Sequence, residues 1–440
     1  MSNEIHLHPL VVSAYVNAKN GEKELAKAFA GEKQPPLWVP YADPGYMLAK
    51  KIAALVEGYV QEHGGKPPIL FLEKHGVFVT ADSANAALKL VGKVIDLCKS
   101  GLKPARQPRV KTPPQDEIAA TKLMIRKAVF EATGEYVPVT YFAPTANIAA
   151  FMSHKAAKAL LDAPALHPEE LVFANGPALW IEDPDAMKIA RKLQARIDRT
   201  HKTPYAFIVK DFGLFIAADK SLVPLAAEMA DGSVTVRMHA RRFGGVLGLS
   251  KREQDFINNW ESEAFRKKMV GGEGKGELTN RIAVVTGAGS GLGRSLAIGL
   301  ARAGAMVGLA DVDVAAAQET ASFILKERPK SQVKAIQCNV TSEDSVHKAF
   351  EDLMTSWGGL DILVNAAGIA PPFALVDMPA DKWRLALDVN LTGYFLMARE
   401  AARIMIAQGI GGSVVNLSSK SGLDVGQLLD THFGLHRFFD

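Results

Sequence analysis

The last third of the chain alternates short apolar runs with longer amphipathic segments. Short apolar strands that alternate with amphipathic helices are typical of a parallel sheet covered by helices on both faces. The pattern therefore predicts an α/β fold with a doubly wound parallel sheet. Strands are expected at 282–286, 306–310, 333–338, 362–365 and 413–417, and helices from Leu292 and at 314–326, 342–357 and 382–408.

The pattern breaks at two places. Residues 103–117 contain four prolines, which disfavour both helix and sheet, and residues 271–280 are rich in glycine and polar side chains. These breaks predict three regions, at 1–102, 115–270 and 280–440. Within the first two, an apolar strand, a turn and a second apolar strand recur when Gly76 is aligned with Gly213. The recurrence is consistent with an internal repeat and also with a common local pattern.

Composition narrows the class of protein. Of the 440 residues, 48% are hydrophobic and 22% are charged, and the formal net charge is only +4. Basic residues are spread among acids, so neither a nucleic-acid surface nor a membrane surface is indicated. The two cysteines, Cys98 and Cys338, lack metal-site spacing and suit a reducing compartment. With no signal peptide and no apolar run of ~18 residues, we expect a cytoplasmic protein that acts on a small molecule.

A glycine-rich loop, Thr286-Gly-Ala-Gly-Ser-Gly-Leu-Gly293, follows the first predicted strand of the C-terminal region. Its glycines allow a tight turn and let a pyrophosphate approach a helix N-terminus. Asp311 ends the next strand, where an acid is expected to accept the ribose 2′-OH. A carboxylate repels a 2′-phosphate, and Ser290 supplies no compensating cation, so NAD is favoured over NADP. The predicted cofactor-binding residues of this segment are Thr286, Gly287, Ser290, Gly291, Leu292, Gly293 and Asp311.

Three further motifs, Asn365-Ala-Ala-Gly368, Asn390 in a predicted helix and Asn416-Leu-Ser-Ser419, follow in order. With the glycine loop, they resemble the short-chain dehydrogenases. The resemblance implies that Asn390 holds a proton-relay water and that Ser419 hydrogen-bonds the substrate carbonyl. It also implies homo-oligomers, because the helix at 382–408 often packs between subunits. The cofactor residues implied by the resemblance are Asn365, Ala366 and Gly368, beside the central strand, and Asn339 and Val340, at the adenine, although aspartate is usual in place of Asn339.

One part of the family pattern is missing. The catalytic tyrosine and lysine, four residues apart, are expected about 13 residues after Ser419, where this chain has His432 and His436. Hydride transfer needs a proton donor with a suitable pKa, and two histidines could form an acid pair. We favour the interpretation that the dehydrogenase region lacks its C-terminal part.

Two histidines lie two residues apart near the N-terminus, in Ile5-His-Leu-His-Pro9. On a strand, both imidazoles would point to one face and could chelate a metal. His75 follows another apolar strand, and three histidines with one open position is the arrangement of catalytic zinc. We therefore predict a zinc site at His6, His8 and His75; a solvated tail is the alternative for the first two.

These histidines lie among segments that resemble the zinc-dependent class II aldolases, notably fusions of a rhamnulose-phosphate-type aldolase to a short-chain dehydrogenase. The segments are 37–46, 74–78, 167–173 and 213–216. The resemblance implies a partial class II aldolase-like α/β domain at 1–102, an associated α/β region at 115–270 and zinc-dependent cleavage of a ketose phosphate. The family's catalytic glutamate and phosphate loop precede the His-x-His; neither Glu4 nor Glu73 matches that glutamate, and Glu73 is predicted to lie on the surface or in a hairpin.

Two functions follow from this sequence. The first is an NAD-dependent oxidoreductase that acts on an alcohol or aldehyde and is fused to a zinc-dependent aldolase-type domain. The second is a non-catalytic protein or fragment that retains affinity for NAD and metal. The absent tyrosine–lysine pair and the absent upstream glutamate favour the second, whereas the function of the resembled family favours the first.

Overall fold

The computed structural model describes residues 3–102, 108, 112–260 and 276–419. Within them the chain forms three β-sheets, one in each region that the sequence analysis separates. Among the described residues, no helix combines the length and the apolar character that crossing a membrane requires.

The first sheet has four strands in the order β1-β4-β3-β2. Strands β2 and β3 are parallel, whereas β4 pairs antiparallel with both β1 and β3. Apolar side chains of α1, α2 and α4 form one core with the sheet. The elements are β1 (Asn3–Leu7), α1 (Leu10–Val16), α2 (Gly21–Ala28), β2 (Leu37–Val39), α3 (Tyr46–His63), β3 (Ile69–Leu72), β4 (Val77–Ala81) and α4 (Ala84–Ser100).

The second sheet repeats this topology in the order β5-β8-β7-β6. Strands β6 and β7 are parallel, and β8 pairs antiparallel with β5 and β7. The elements are α5 (Gln115–Thr133), β5 (Val139–Phe142), α6 (Ala146–Met152), α7 (Ala157–Asp162), α8 (Pro168–Ala174), β6 (Leu179–Ile181), α9 (Ala186–Thr200), β7 (Ala206–Val209), β8 (Gly213–Ala217), α10 (Val223–Arg242) and α11 (Lys251–Asn259).

The hairpins of the two sheets agree in backbone detail. Lys74 in the first and Asp211 in the second both adopt left-handed conformations, with φ of 58° and 64°. The next residue closes the turn in each case: the N–H of His75 donates to the carbonyl of Leu72, and the N–H of Phe212 donates to that of Val209, both at 3.1 Å. The internal repeat is thus confirmed as a repeat of structure.

The third sheet has five parallel strands in the order β11-β10-β9-β12-β13. Its apolar strands are sandwiched between two cores, one on each face, so the predicted doubly wound sheet is confirmed. The elements are β9 (Ile282–Thr286), α12 (Gly291–Arg302), β10 (Met306–Asp311), α13 (Val314–Glu327), β11 (Val333–Gln337), α14 (Glu343–Trp357), β12 (Ile362–Asn365), a 3₁₀ turn (Leu375–Asp377), α15 (Ala380–Leu387), a π turn (Asp388–Thr392), α16 (Gly393–Gln408) and β13 (Ser413–Asn416).

The predicted single helix at 382–408 is wrong in one respect, because the π turn separates α15 from α16. Such turns carry an extra residue within a helix and are frequent at functional sites. Here the turn contains Asn390, whose side chain bonds the backbone of Ile369 on the loop after β12.

Helix α5 joins the second sheet to the third. Its Arg126 forms an ion pair of 2.6 Å with Asp361, and both side chains are fully buried. The same guanidinium donates to Gln408 at 3.0 Å, while Asp361 also accepts the backbone N–H of Ile282 at 2.7 Å. The second sheet therefore docks at the N-terminal ends of β9 and β12, away from the glycine loop.

Candidate metal centre and candidate cofactor site

His6, His8 and His75 converge at the edge of the first sheet. Strand β1 carries His6, and the hairpin between β3 and β4 carries His75. The Nε2 atom of His6 lies 3.0 Å from that of His8 and 3.3 Å from that of His75. Tetrahedral zinc with ligand bonds of ~2.0–2.1 Å would hold two nitrogens ~3.3–3.4 Å apart. The three side chains therefore have the spacing of ligands to one small cation.

Hydrogen bonds at the opposite ring nitrogens orient two of these imidazoles. The Nδ1 atom of His6 lies 3.1 Å from the carbonyl oxygen of Val77, and that of His8 lies 2.8 Å from a carboxylate oxygen of Glu169. Both partners are acceptors, so each Nδ1 carries the proton and each Nε2 presents a lone pair. Facing lone pairs at 3.0 Å repel one another, and a cation between them would remove that repulsion.

Glu169 comes from the second half of the repeat. Its other oxygen lies 2.9 Å from the Nδ1 of His167. Although burial opposes ionisation, the hydrogen bonds from His167 and His8 hold the pKa of Glu169 well below its usual range. Although burial lowers the pKa of His167, the bond to Glu169 raises it overall. The carboxylate is therefore ionised and supports His8, a role that the sequence analysis missed.

Burial keeps the remaining imidazoles neutral. Desolvation by burial lowers the pKa of His75 to about 4 and also lowers the pKa of His6, and repulsion from His8, whenever it is protonated, acts in the same direction. Neutral imidazole is the form that binds metals. Glu73 accepts the backbone N–H of Tyr41 at 2.9 Å, which agrees with the predicted hairpin position, and Glu4 lies on an exposed position of β1.

The glycine loop leads from β9 into α12 at the carboxyl edge of the third sheet. Gly287 has φ of 64°, and a Cβ added there would lie 2.9 Å from the Cα of Ala367. A Cβ at Gly293 would lie 2.2 Å from the carbonyl oxygen of Gly287. Both positions thus require glycine. Ser290 occupies the N-cap of α12, which starts at Gly291, and Leu292 is 70% exposed.

Two side chains fix the shape of this loop. The Thr286 hydroxyl accepts the backbone N–H groups of Ala366 and Ala367 at 2.9 and 3.0 Å. One oxygen of Asp311 accepts the N–H of Gly289 at 2.7 Å, and the other accepts that of Asp313 at 2.9 Å. The predicted acid therefore lies beside the loop, where a dinucleotide would pass.

A cation that the sequence analysis overlooked also lies beside the loop. Arg294 donates to the carbonyl of Gly289 and to Thr320, and its guanidinium lies 3.5 Å from Glu319. The Nε and Nη2 atoms of Arg294 are therefore engaged within the protein, which holds the guanidinium against the loop. Its position immediately after the last glycine of the loop was the available sequence signal.

The remaining predicted cofactor residues line the same edge. Asn339 caps its own turn by accepting the N–H and hydroxyl of Thr341, and Val340 is 8% exposed. Asn365 is fully buried and donates to Asn416 at 2.9 Å, so it ties β12 to β13. Ala366 and Gly368 follow it in the loop after β12.

Comparison with known proteins supports the assignment of this region. Residues 281–429 match the short chain dehydrogenase family. The C-terminal region is a short-chain dehydrogenase domain.

Individual proteins are similar either to nearly the whole chain or to about a third of it. The uncharacterized oxidoreductase YuxG of Bacillus subtilis is 26% identical over 96% of this chain and 64% of its own length. The NAD-dependent glycerol dehydrogenase of Listeria innocua is 34% identical over 33% of the chain, and the sorbitol-6-phosphate 2-dehydrogenase of Escherichia coli is 38% identical over 32%. The chain spans 55% of the length of each of the latter two.

The two predicted catalytic residues of the dehydrogenase domain have different surroundings. The side-chain oxygen of Asn390 accepts the N–H of Ile369 at 2.9 Å, and its amide donates to the Ile369 carbonyl at 2.8 Å. Asn390 thus holds the loop after β12, and its water-binding role stays a prediction. Ser419 lies partly buried beyond β13, and its role also stays a prediction. His432 and His436 lie outside the described residues.

Proposed function

We propose that the dehydrogenase domain binds NAD(H) and acts as an oxidoreductase on an alcohol or aldehyde. The observation that carries this proposal is Asp311 beside the glycine loop at the carboxyl ends of β9 and β10. The loop offers N–H groups to a pyrophosphate, and the carboxylate has capacity left to accept ribose hydroxyls. Two similar proteins, named NAD-dependent glycerol dehydrogenase and sorbitol-6-phosphate 2-dehydrogenase, support this substrate class.

Titration with NADH and NADPH, followed by quenching of tryptophan emission, tests the cofactor proposal. We expect NADH to bind more tightly than NADPH. Asp311→Ala should weaken NADH by about tenfold, or ~1.4 kcal/mol, and should affect NADPH less. Asp381→Asn, at an exposed aspartate of the same domain, is the control. Equal affinity for both cofactors in the wild-type protein would refute the proposed role of Asp311.

The alternative is that the chain binds NAD(H) without turnover. It is favoured by the segment 420–440, which contains no tyrosine and so cannot supply the family's Tyr-x-x-x-Lys. Assays of polyols with NAD⁺, and of their carbonyl products with NADH, distinguish an active oxidoreductase from a protein that only binds the cofactor. Turnover would require another proton donor, for which His432→Ala and His436→Ala are the first variants to examine; saturable binding without turnover would establish the alternative.

We further propose that His6, His8 and His75 bind zinc. The fit rests on three Nε2 atoms at ligand spacing, two of them oriented by Val77 and by the carboxylate of Glu169. By the resemblance to class II aldolases, bound zinc would supply Lewis-acid stabilisation of an enediolate in ketose-phosphate cleavage. In this proposal the three histidines hold the ion and Glu169 orients His8; a general base for aldol chemistry is not assigned.

Metal analysis of chelator-treated and zinc-reloaded protein tests the centre. We expect one zinc per wild-type chain and none in His6→Ala. His347→Ala, at an exposed histidine of the dehydrogenase domain, should retain the metal. A His6→Ala protein that keeps the full zinc content would overturn the site. Because zinc content and NADH affinity are measured separately, either proposal can fail alone.

A further inference from the structure

Two buried arginines of the second half differ in how their charges are satisfied. Arg237 is fully buried and donates to the carbonyls of Leu160, Ala163 and Pro164, and it also pairs with Glu170. Every part of its guanidinium has a partner, which is usual for a buried charge. Arg237 is therefore a structural residue.

Arg196 on α9 is only 7% exposed, yet among the described residues its guanidinium makes one hydrogen bond, of 3.0 Å to the carbonyl of Pro177. Within the described part of the chain, no carboxylate lies within ion-pair distance of it. Burial, followed by the nearby charges of Arg199 and Arg237, lowers the pKa of Arg196 to about 10, so it remains charged at neutral pH. Glu170 and Asp162 lie near enough to act against this lowering of the pKa, but neither is within ion-pair distance. A nearly buried arginine whose donors are not all used by the protein is suited to bind an anion.

Arg196 lies between two neighbouring cavities, of about 230 and 170 Å³. Both are lined by Arg196, Arg199 and Asp162. The larger one continues between the C-terminal ends of α8 and α9 and the helix α11, and the smaller one runs along α9 towards Trp180. These are small hollows rather than an extended strip, so a small molecule fits them better than a polymer does.

The lining is positively charged overall. The larger cavity has four basic residues, Arg196, Arg199, Lys202 and Lys251, against two acids, Asp162 and Asp255. The smaller adds Lys158 and Lys192, of which Lys158 lies 4.0 Å from Asp162. A ligand with two negative charges would balance the excess in the larger cavity.

We propose that these cavities bind a small phosphate-bearing anion, with the planar guanidinium of Arg196 as its central donor and Arg199 and Lys251 at the mouth. A phosphate matches the fork of an arginine and carries the charge that the lining lacks. The site is distinct from the three histidines and from the glycine loop, and it depends on neither proposal made above.

Calorimetric titration with inorganic phosphate at constant ionic strength tests the site, with a short single-stranded oligonucleotide as a second probe. We expect saturable phosphate binding that Arg199→Gln weakens about tenfold and Arg196→Gln abolishes. Arg191→Gln, at an exposed arginine of the same helix outside both linings, should bind as the wild type does. If Arg196→Gln does not fold, the double variant Arg199→Gln/Lys251→Gln, at two exposed positions, replaces it and should bind at least tenfold more weakly.

Three results would overturn the proposal. The first is the absence of saturable phosphate binding. The second is binding that survives in the Arg199→Gln and double variants, which would place the phosphate elsewhere, for example at the glycine loop. The third is binding of the oligonucleotide but not of phosphate, which would indicate a surface for nucleic acid.

Discussion

The two halves of the N-terminal repeat share a backbone and differ in chemistry. In the first sheet, His6 on β1 faces Phe78 on β4, and their rings stack with centroids 4.1 Å apart. At the equivalent place in the second sheet, Tyr141 on β5 faces Phe215 on β8, with centroids 5.1 Å apart. His75 likewise corresponds to Phe212. One fold therefore offers an imidazole cluster in the first half and an apolar corner in the second.

The second half has a different specialisation. Its helix α5 carries Arg126 into the buried contact with Asp361, at the start of the dehydrogenase sheet. The second half also supplies Glu169, on α8, whose carboxylate contacts His8. The first half therefore carries the histidine cluster, whereas the second half supplies a carboxylate to His8 and a buried ion pair to the dehydrogenase domain.

The largest expected effect is at that anchor. Arg126→Ala leaves the carboxylate of Asp361 buried without its cation, which costs ~3–5 kcal/mol. We expect a marked fall in the urea midpoint, with the dehydrogenase domain and the repeat unfolding separately. Arg302→Ala, which breaks an exposed pair with Glu327, should leave the urea midpoint almost unchanged, because solvent screens exposed ion pairs. Equal effects of the two variants would contradict the proposed anchoring.

Glu169→Gln tests whether a carboxylate from the second half strengthens zinc binding by the histidines of the first half. Losing a carboxylate that supports a metal-bound histidine typically weakens metal affinity ~10–100-fold. Competition with a chromophoric chelator measures the zinc affinity, and Glu22→Gln, at an exposed residue of α2, is the matched control. Unchanged zinc affinity in Glu169→Gln would show that the two halves act independently.

The metal-free protein should lose stability as the pH falls. The unfolded chain binds protons at histidine near pH 6.5, whereas the folded pKa of His75 is about 4. Between these values the unfolded state holds more protons, so stability is complete above about pH 6.5 and decreases towards pH 4. Urea midpoints in chelator at pH 7 and pH 5 should differ less in His75→Ala than in the wild type. His167, whose pKa is raised and which therefore works in the opposite direction, is present in both proteins.

The smallest effect concerns the two hairpins. Asp211 is exposed and has a left-handed backbone, so Asp211→Gly should change stability by no more than ~1 kcal/mol, in the stabilising direction. Lys74 has the same backbone, but its ammonium pairs with Glu253 at 2.9 Å, so Lys74→Gly should destabilise. Thermal midpoints of the two variants compare them directly. A destabilising Asp211→Gly would indicate that the two turns are not equivalent.

Much of the dehydrogenase domain follows from the sequence because its elements are local. Strands β9 and β12 begin and end where the apolar runs do, and the spacing of the glycines predicts the loop that follows β9. The π turn at Asn390 escaped prediction because an extra residue in a helix leaves the apolar pattern almost unchanged. Arg294 escaped because its engagement with Gly289 and Glu319 depends on tertiary packing.

The convergence of His6, His8 and His75 was predictable from the sequence, but the carboxylate that supports His8 was not. His6 lies on β1 and His8 one residue beyond its end, and a spacing of two in extended chain favours one face for both side chains. Glu169 is more than 160 residues away along the chain, and no local pattern relates it to His8. The anchoring pair of Arg126 and Asp361 was equally hidden, since both partners read as ordinary surface charges in sequence.

The position of the first strand at the edge of its sheet has a consequence for folding. Strand β1 is held by β4 along one side, and a shift of its pairing by one residue would turn every side chain to the opposite face. Such a slip would carry both His6 and His8 away from His75. A cation bound by all three would therefore select the native alignment of the terminal strand and reject the slipped one.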